Sequence, residues 1–239
     1  LLANLKIDPK QLPEKVLVCG DPNRAEVIAS YLENACVLAK NREYHSYIGT
    51  YHGEKIAIVS HGVGGPGAAV CFEELIIGGA QTMIRVGTAG SYRKEIEAGS
   101  IVISTAAVRC DGLSNQLVPS GFPAVANREV VQALATAAAN QKETISTFEG
   151  ITLTLDAFYL GSVPFPHELY KQSNVLAVEM ENAALFTIAS LRGIRAGAIV
   201  AIDGYADDDL RENYNPNRES VSRAIHLEAG IALDAIRTL

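Results

Sequence analysis

The amino-acid sequence predicts an α/β fold, a single-domain α/β/α sandwich with a central mixed β-sheet. Three observations carry this expectation. Short runs rich in β-branched residues alternate with longer segments of helical character. Most of these runs are apolar throughout, as strands are when helices cover both faces of their sheet. Apolar residues make up 48% of the 239 and are spread over the whole length, leaving no composition break where a second domain would begin, so residues 1–239 are expected to form one unit.

Taken in order, the first strand is Val16–Cys19, followed by a helix over Asn23–Leu32. Tyr44–Tyr51 mixes polar and apolar residues and meets the run Lys55–Ser60 across His52-Gly53, giving a hairpin. A helix over Gly67–Ile77 leads to a strand at Thr82–Val86, and Ile101–Val108 is the next apolar run. Arg128–Asn140 reads as a helix, Val175–Val178 as a short strand and Asn182–Leu191 as a helix. Ala196–Ile202 is again apolar throughout. In Arg218–Leu239, residues Val221, Ala224, Ile225, Ala229, Leu233 and Ile236 recur roughly three and four apart, the stripe of a helix with one buried face. The Asp- and Asn-rich stretch Tyr205–Pro216 is the expected mobile segment.

A net charge of −7 disfavours nucleic acid as a partner, because that affinity comes largely from cationic side chains meeting phosphates. It leaves room for a small anion held by a few placed arginines. No apolar run reaches membrane-spanning length and none has the form of a signal peptide, so a cytoplasmic location away from membranes is expected. Cys19, Cys36, Cys71 and Cys110 lie far apart with no metal-binding spacing, and buried, reduced thiols are the expectation.

Four constellations could carry chemistry. Gly20-Asp21-Pro22-Asn23-Arg24 follows the first strand, where a glycine turn, a helix start and an arginine suit an anion. Taken alone, an ordinary βα turn accounts for it more simply. In Arg85-Val86-Gly87-Thr88-Ala89-Gly90, a charge sits late in an apolar strand and must find a partner; a hydroxyl and backbone N–H groups follow at the strand's C-terminal end, where α/β sheets bind ligands. A structural salt bridge fits that arginine equally well. Val178-Glu179-Met180-Glu181 precedes a helix; a carboxylate suits the vicinal diol of a ribose, and glutamate in a first helical turn is also common for its effect on the dipole. Asp203-Gly204 follows an apolar strand; a carboxyl partly withdrawn from water can donate a proton, although Asp-Gly is also a plain turn.

In this order the four pieces resemble the purine nucleoside and uridine phosphorylase family, in its hexamer-forming branch. The resemblance extends over essentially the whole chain. It includes Asn41-Arg42-Glu43-Tyr44, His61-Gly62-Val63-Gly64-Gly65-Pro66 leading into Glu73-Glu74-Leu75, Phe122-Pro123-Ala124-Val125 and Asp156-Ala157-Phe158-Tyr159. It implies that Gly20, Arg24, Arg85 and Thr88 bind phosphate, with Arg42 supplied by a neighbouring subunit of a dimer-based homo-oligomer. It places Val63, Met180 and Glu181 around the ribose, beside Val178 and Glu179 of the same motif, and Phe158 or Tyr159 against the base. Asp203 matches the acid that purine-specific members use near N7. No metal or organic cofactor is implied, and inorganic phosphate is the co-substrate.

Two positions depart from the family pattern. Asn4 stands where family members usually carry a histidine that reaches a neighbour's 5′-hydroxyl. The loop at residues 160–166 lacks the Gln and Arg with which uridine-specific relatives read uracil. Phosphorolysis of inosine- and guanosine-type nucleosides is therefore the expected reaction, with uridine and 5′-methylthio nucleosides as alternatives. A nucleosidase using water is disfavoured by the set Arg24, Arg42 and Arg85, and a non-catalytic nucleoside-binding protein by the retention of Glu181 and Asp203. His45 and His61 are further candidates for substrate contact, whereas His52, His167 and His226 are expected at the surface or in turns.

Overall fold

The computed structural model describes residues 1–159, 161–206 and 219–239. β1 (Lys15–Cys19) runs into α1 (Pro22–Ala29), and β2 (Glu33–Asn41), β3 (Tyr44–Tyr51) and β4 (Glu54–Ser60) form an antiparallel meander. α2 (Gly65–Ile77) precedes β5 (Thr82–Ser91) and β6 (Ile101–Cys110). Then come α3 (Gly112–Leu117), the short β7 (Ala124–Val125), α4 (Arg128–Ala139), β8 (Thr147–Leu155) and α5 (His167–Gln172). β9 (Ala177–Glu179), α6 (Asn182–Arg192), β10 (Arg195–Tyr205) and α7 (Glu219–Ile236) follow.

The sheet is mixed, as expected. β1 lies parallel between β4 and β5, and β5 pairs in parallel with β10. β6 joins β10 antiparallel, β8 joins β6 parallel, and β9 joins β8 before returning antiparallel to β5. Strands β5, β10, β6, β8 and β9 thus close into a small barrel, while β1, β4, β3 and β2 extend from it as an open sheet. The continuous apolar runs have a direct cause in β1. Val16 and Val18 join a core with Phe72 and Leu75 of α2 and with α6. Leu17 and Cys19 join the opposite core with Val130 and Leu134 of α4 and with Ile231 and Ile236 of α7. Alternate residues of one strand feed two cores, so both faces must be apolar.

Helix ends follow local chemistry. Pro22 opens α1, and the Asp21 side chain caps it by accepting the Asn23 N–H at 2.9 Å. Gly193 ends α6 at φ 70°, a left-handed conformation that costs glycine little. β2 and β8 carry no clear pattern in the sequence. The first half of β2 is exposed at the sheet's edge, and β8 begins with polar residues interrupted by Gly150. The thiols are all free, and Cys19 and Cys71 are buried, but Cys36 is exposed on the β2 edge and Cys110 is only half-buried. No helix among the described residues is long and apolar enough to cross a membrane. Of the segment expected to be mobile, residues 207–216 lie outside the described residues, as do Leu160 and Arg218.

Candidate active site

β5 leaves β1 after Arg85, whose partner is Val18, and meets β9 only from Gly90, whose partner is Val178. Along that side residues 86–89 have no neighbouring strand among the described residues, and a cleft of about 730 Å³ opens beside this backbone edge. Gly87, Thr88 and Gly90, expected just past the strand, are inside it: their other edge is paired with β10. The strand is nevertheless accessible here, because the barrel and the open sheet diverge. Gly20, Asp21, Pro22 and Arg24 bring the start of α1 into the same cleft, and Val63, Val178, Met180 and Phe158 line it too.

Arg85 is 3% exposed and pairs with Glu181; its Nη1 also donates to Asn182 Oδ1 at 3.0 Å and lies 3.4 Å from Glu179 Oε2. Burial opposes its charge, but Glu181 and then Glu179 hold the guanidinium above its ordinary pKa, so it is cationic throughout the working range. Among the described residues its Nε has no acceptor. Glu181 is 4% exposed and accepts the Gly64 N–H at 2.7 Å. Burial raises Glu181's carboxyl, yet Arg85, His61 and the Gly64 N–H together outweigh this and keep it below the usual range. The expected salt bridge and the expected ligand groups are therefore the same atoms: the cation and the carboxylate neutralise each other. Gly87 permits this, because a Cβ there would sit 2.4 Å from Arg85 Nη1.

Glu179 has a different task. Its carboxylate accepts the N–H of Glu181 at 2.6 Å, the N–H of Asn182 at 2.7 Å and the Thr154 hydroxyl. It caps the start of α6 from two residues upstream of Glu181, which has no side-chain cap bond of its own. Asp203 owes its place to a bulge. β10 slips register against β5 between Ile202 and Gly204, leaving Asp203 as the extra residue; such bulges re-aim a side chain. It lines the cleft while only 5% exposed. Burial pushes its carboxyl up to about 7, against the downward pull of Arg24 and the Thr88 hydroxyl.

Three predicted site residues are not in this chain's cleft. Asn4 Nδ2 donates to Glu74 Oε1 at 2.7 Å, tying the N-terminal segment to α2. Arg42 sits in the β2–β3 turn at φ 54°. Tyr159 is 68% exposed, and Phe158 alone of the aromatic pair lines the cleft. His61 is buried and neutral at pH 7, burial lowering it to about 4; its Nδ1 donates to the Gly62 carbonyl at 2.8 Å. His167 corrects the expectation of a surface residue: it is 3% exposed, lines the cleft and pairs through Nδ1 with the Tyr92 hydroxyl at 2.7 Å. Glu43, Leu155 and Ile225 also line the cleft. Glu43 lay inside a motif already singled out; nothing local signals His167, whose burial depends on Tyr92, 75 residues away.

The same barrel and open sheet occur in solved enzymes. The chain matches the purine nucleoside phosphorylase of Toxoplasma gondii in complex with immucillin-H with a TM-score of 0.94 and 31% identity, covering 100% of this chain and 96% of that one. Among curated proteins, the purine nucleoside phosphorylase of Plasmodium falciparum is 40% identical over 224 residues, 91% of each chain. The uridine phosphorylase of Haemophilus influenzae is 39% identical over 199 residues, 78% of each. Fold, cleft and relatives define the class as nucleoside phosphorylase. Residues 14–237 match the Phosphorylase superfamily, and the chain belongs to it.

Proposed function

We propose that this chain cleaves purine nucleosides of the inosine and guanosine type with inorganic phosphate, giving free base and ribose 1-phosphate in purine salvage. The observation that carries the reading is Asp203, a buried carboxyl held at about 7 in the cleft shared by Arg24, Arg85 and Glu181. Phosphate held by Gly20, Arg24, Arg85 and Thr88 lies beneath C1′, stabilises the positive charge that develops on the sugar, and attacks. Glu181 holds the ribose hydroxyls, with Val63, Val178 and Met180 around the sugar and Phe158 against the base; Glu179 keeps Glu181 in place. As the bond from C1′ to the base breaks, its electron pair passes to the purine, and Asp203 supplies the proton at N7. Binding thus replaces the Arg85–Glu181 pair with phosphate for one partner and the sugar for the other.

The cleft's mouth leaves Val63 79% exposed. That suits a site completed by a neighbouring subunit, with Arg42 and Asn4 acting across an interface of a homo-oligomer. The test is free-base release from inosine and from uridine, each with and without phosphate. Phosphate-dependent release from inosine is expected; release without phosphate makes the chain a hydrolase. Preference for uridine would establish the second reading, which the 39% identity to a uridine phosphorylase favours. A further expected result concerns Gly87→Ala. The added methyl displaces the guanidinium of Arg85, and the KM for phosphate rises by about 10²-fold, the scale of loss from misplacing a binding group by roughly 1 Å.

A further inference from the structure

Glu228 lies midway along α7, one turn beyond Ile225, which lines the cleft. Its residue is 0% exposed, and among the described residues neither carboxyl oxygen has a hydrogen-bond partner. Charged and titratable groups face it from three elements: Arg24 of α1, Arg85 of β5 and Cys19 of β1. β10 presents the Ala201 backbone amide without closing a hydrogen bond, and the face of α4 packed on α7 is apolar, through Val130 and Leu134. An ionised carboxylate in this position would be unsolvated, and fully buried acids are rare unless paired.

We propose that Glu228 is a positioning residue for phosphate, kept protonated behind the Arg24–Arg85 pair so that both guanidinium charges remain available to the incoming dianion. The inference rests on the phosphorylase reading. Arg85 already faces the carboxylates of Glu179 and Glu181. A third carboxylate behind the arginines would compete with phosphate for the same two cations. Burial, acting against both arginines, pushes the Glu228 carboxyl well above the usual range, and a bound dianion raises it further. Proton and phosphate binding are then linked: where the free protein loses the Glu228 proton, phosphate affinity falls by up to about tenfold per pH unit.

The test is phosphate binding by calorimetry between pH 7 and 9.5, in the unsubstituted protein and in Glu228→Gln, which is neutral at every pH. Above pH 7.5 phosphate is mainly dianionic, His61 is already neutral, and the Cys19 thiol, pushed up to about 12 by burial, stays protonated. Asp203 titrates in this window but is common to both proteins, so the difference between their profiles isolates Glu228. Similar affinities are expected at pH 7, with the unsubstituted protein weakening more than the variant, by up to about tenfold per pH unit, above the pH at which Glu228 loses its proton. Tighter phosphate binding by the variant at pH 7, or profiles that stay superimposable through the pH range in which the carboxyl infrared band absent from Glu228→Gln is lost, would overturn the inference. Absence of both phosphate binding and phosphate-dependent base release in the unsubstituted chain would overturn the phosphorylase reading with it. Glu228→Leu, also neutral, is measured in the same way if thermal unfolding shows the Gln variant misfolded.

Discussion

Asp203→Ala is expected to lower kcat on inosine by about 10² to 10⁴-fold, the range for losing a positioned general acid, while changing the KM for phosphate little. In the proposed mechanism the side chain meets the departing base and not the phosphate, so the two constants should separate. Steady-state kinetics with each substrate varied in turn measures both; equal loss in phosphate binding and turnover would remove the assignment. The pH profile adds an independent check with a definite sign. Burial raises this carboxyl to about 7, so the acid form dominates below that pH and is lost above it. In the unsubstituted enzyme kcat on inosine should therefore fall about tenfold per pH unit above pH 7, and that limb should be missing from Asp203→Ala.

Arg85→Ala is the second large effect, and it should strike stability and catalysis together. It leaves Glu179 and Glu181 buried without their shared cation, and breaking a buried pair from one side costs about 3–5 kcal/mol. It also removes a charged donor from the proposed phosphate subsite, a loss of about 10² to 10³-fold in kcat. Denaturant unfolding measures the first and phosphorolysis the second. Arg85→Lys separates them. A compact ammonium keeps the charge but cannot reach Glu181 and Asn182 at once as the planar fork does, so stability should recover more than activity. Full recovery of activity in the lysine variant would show that the forked geometry is irrelevant.

The legibility of the site varied with how locally each residue is fixed. Gly20, Arg24 and Glu181 sit at the junctions of strands and helices, where a glycine turn or a helix start is written in a few adjacent residues. Thr88, a site residue by the sequence, and Gly87 of the same motif read as following the strand, whereas both lie within it. Their accessibility comes from the divergence of β1 and β9 around β5, which no run of neighbouring residues encodes. His167 reads as a surface or turn residue for the same reason, since its burial depends on Tyr92, 75 residues away.

By itself the sequence determined the α/β class, most of the apolar strands and the main helices, because burial on two faces imposes a residue pattern that can be read without coordinates. The motifs, in their order, also determined the family. The tertiary structure decided that the strands close into a barrel, since closure depends on pairing between β5 and β9, whose contact joins residues 90 and 178. It decided that Arg85 and Glu181 neutralise each other beside the cleft and that a bulge aims Asp203 into it. It also decided that Glu228, one polar residue on an otherwise apolar helix face, is buried within electrostatic reach of Arg24 and Arg85. Each of these is a contact between distant segments, and its energy depends on separation and burial, which exist only once the chain is folded.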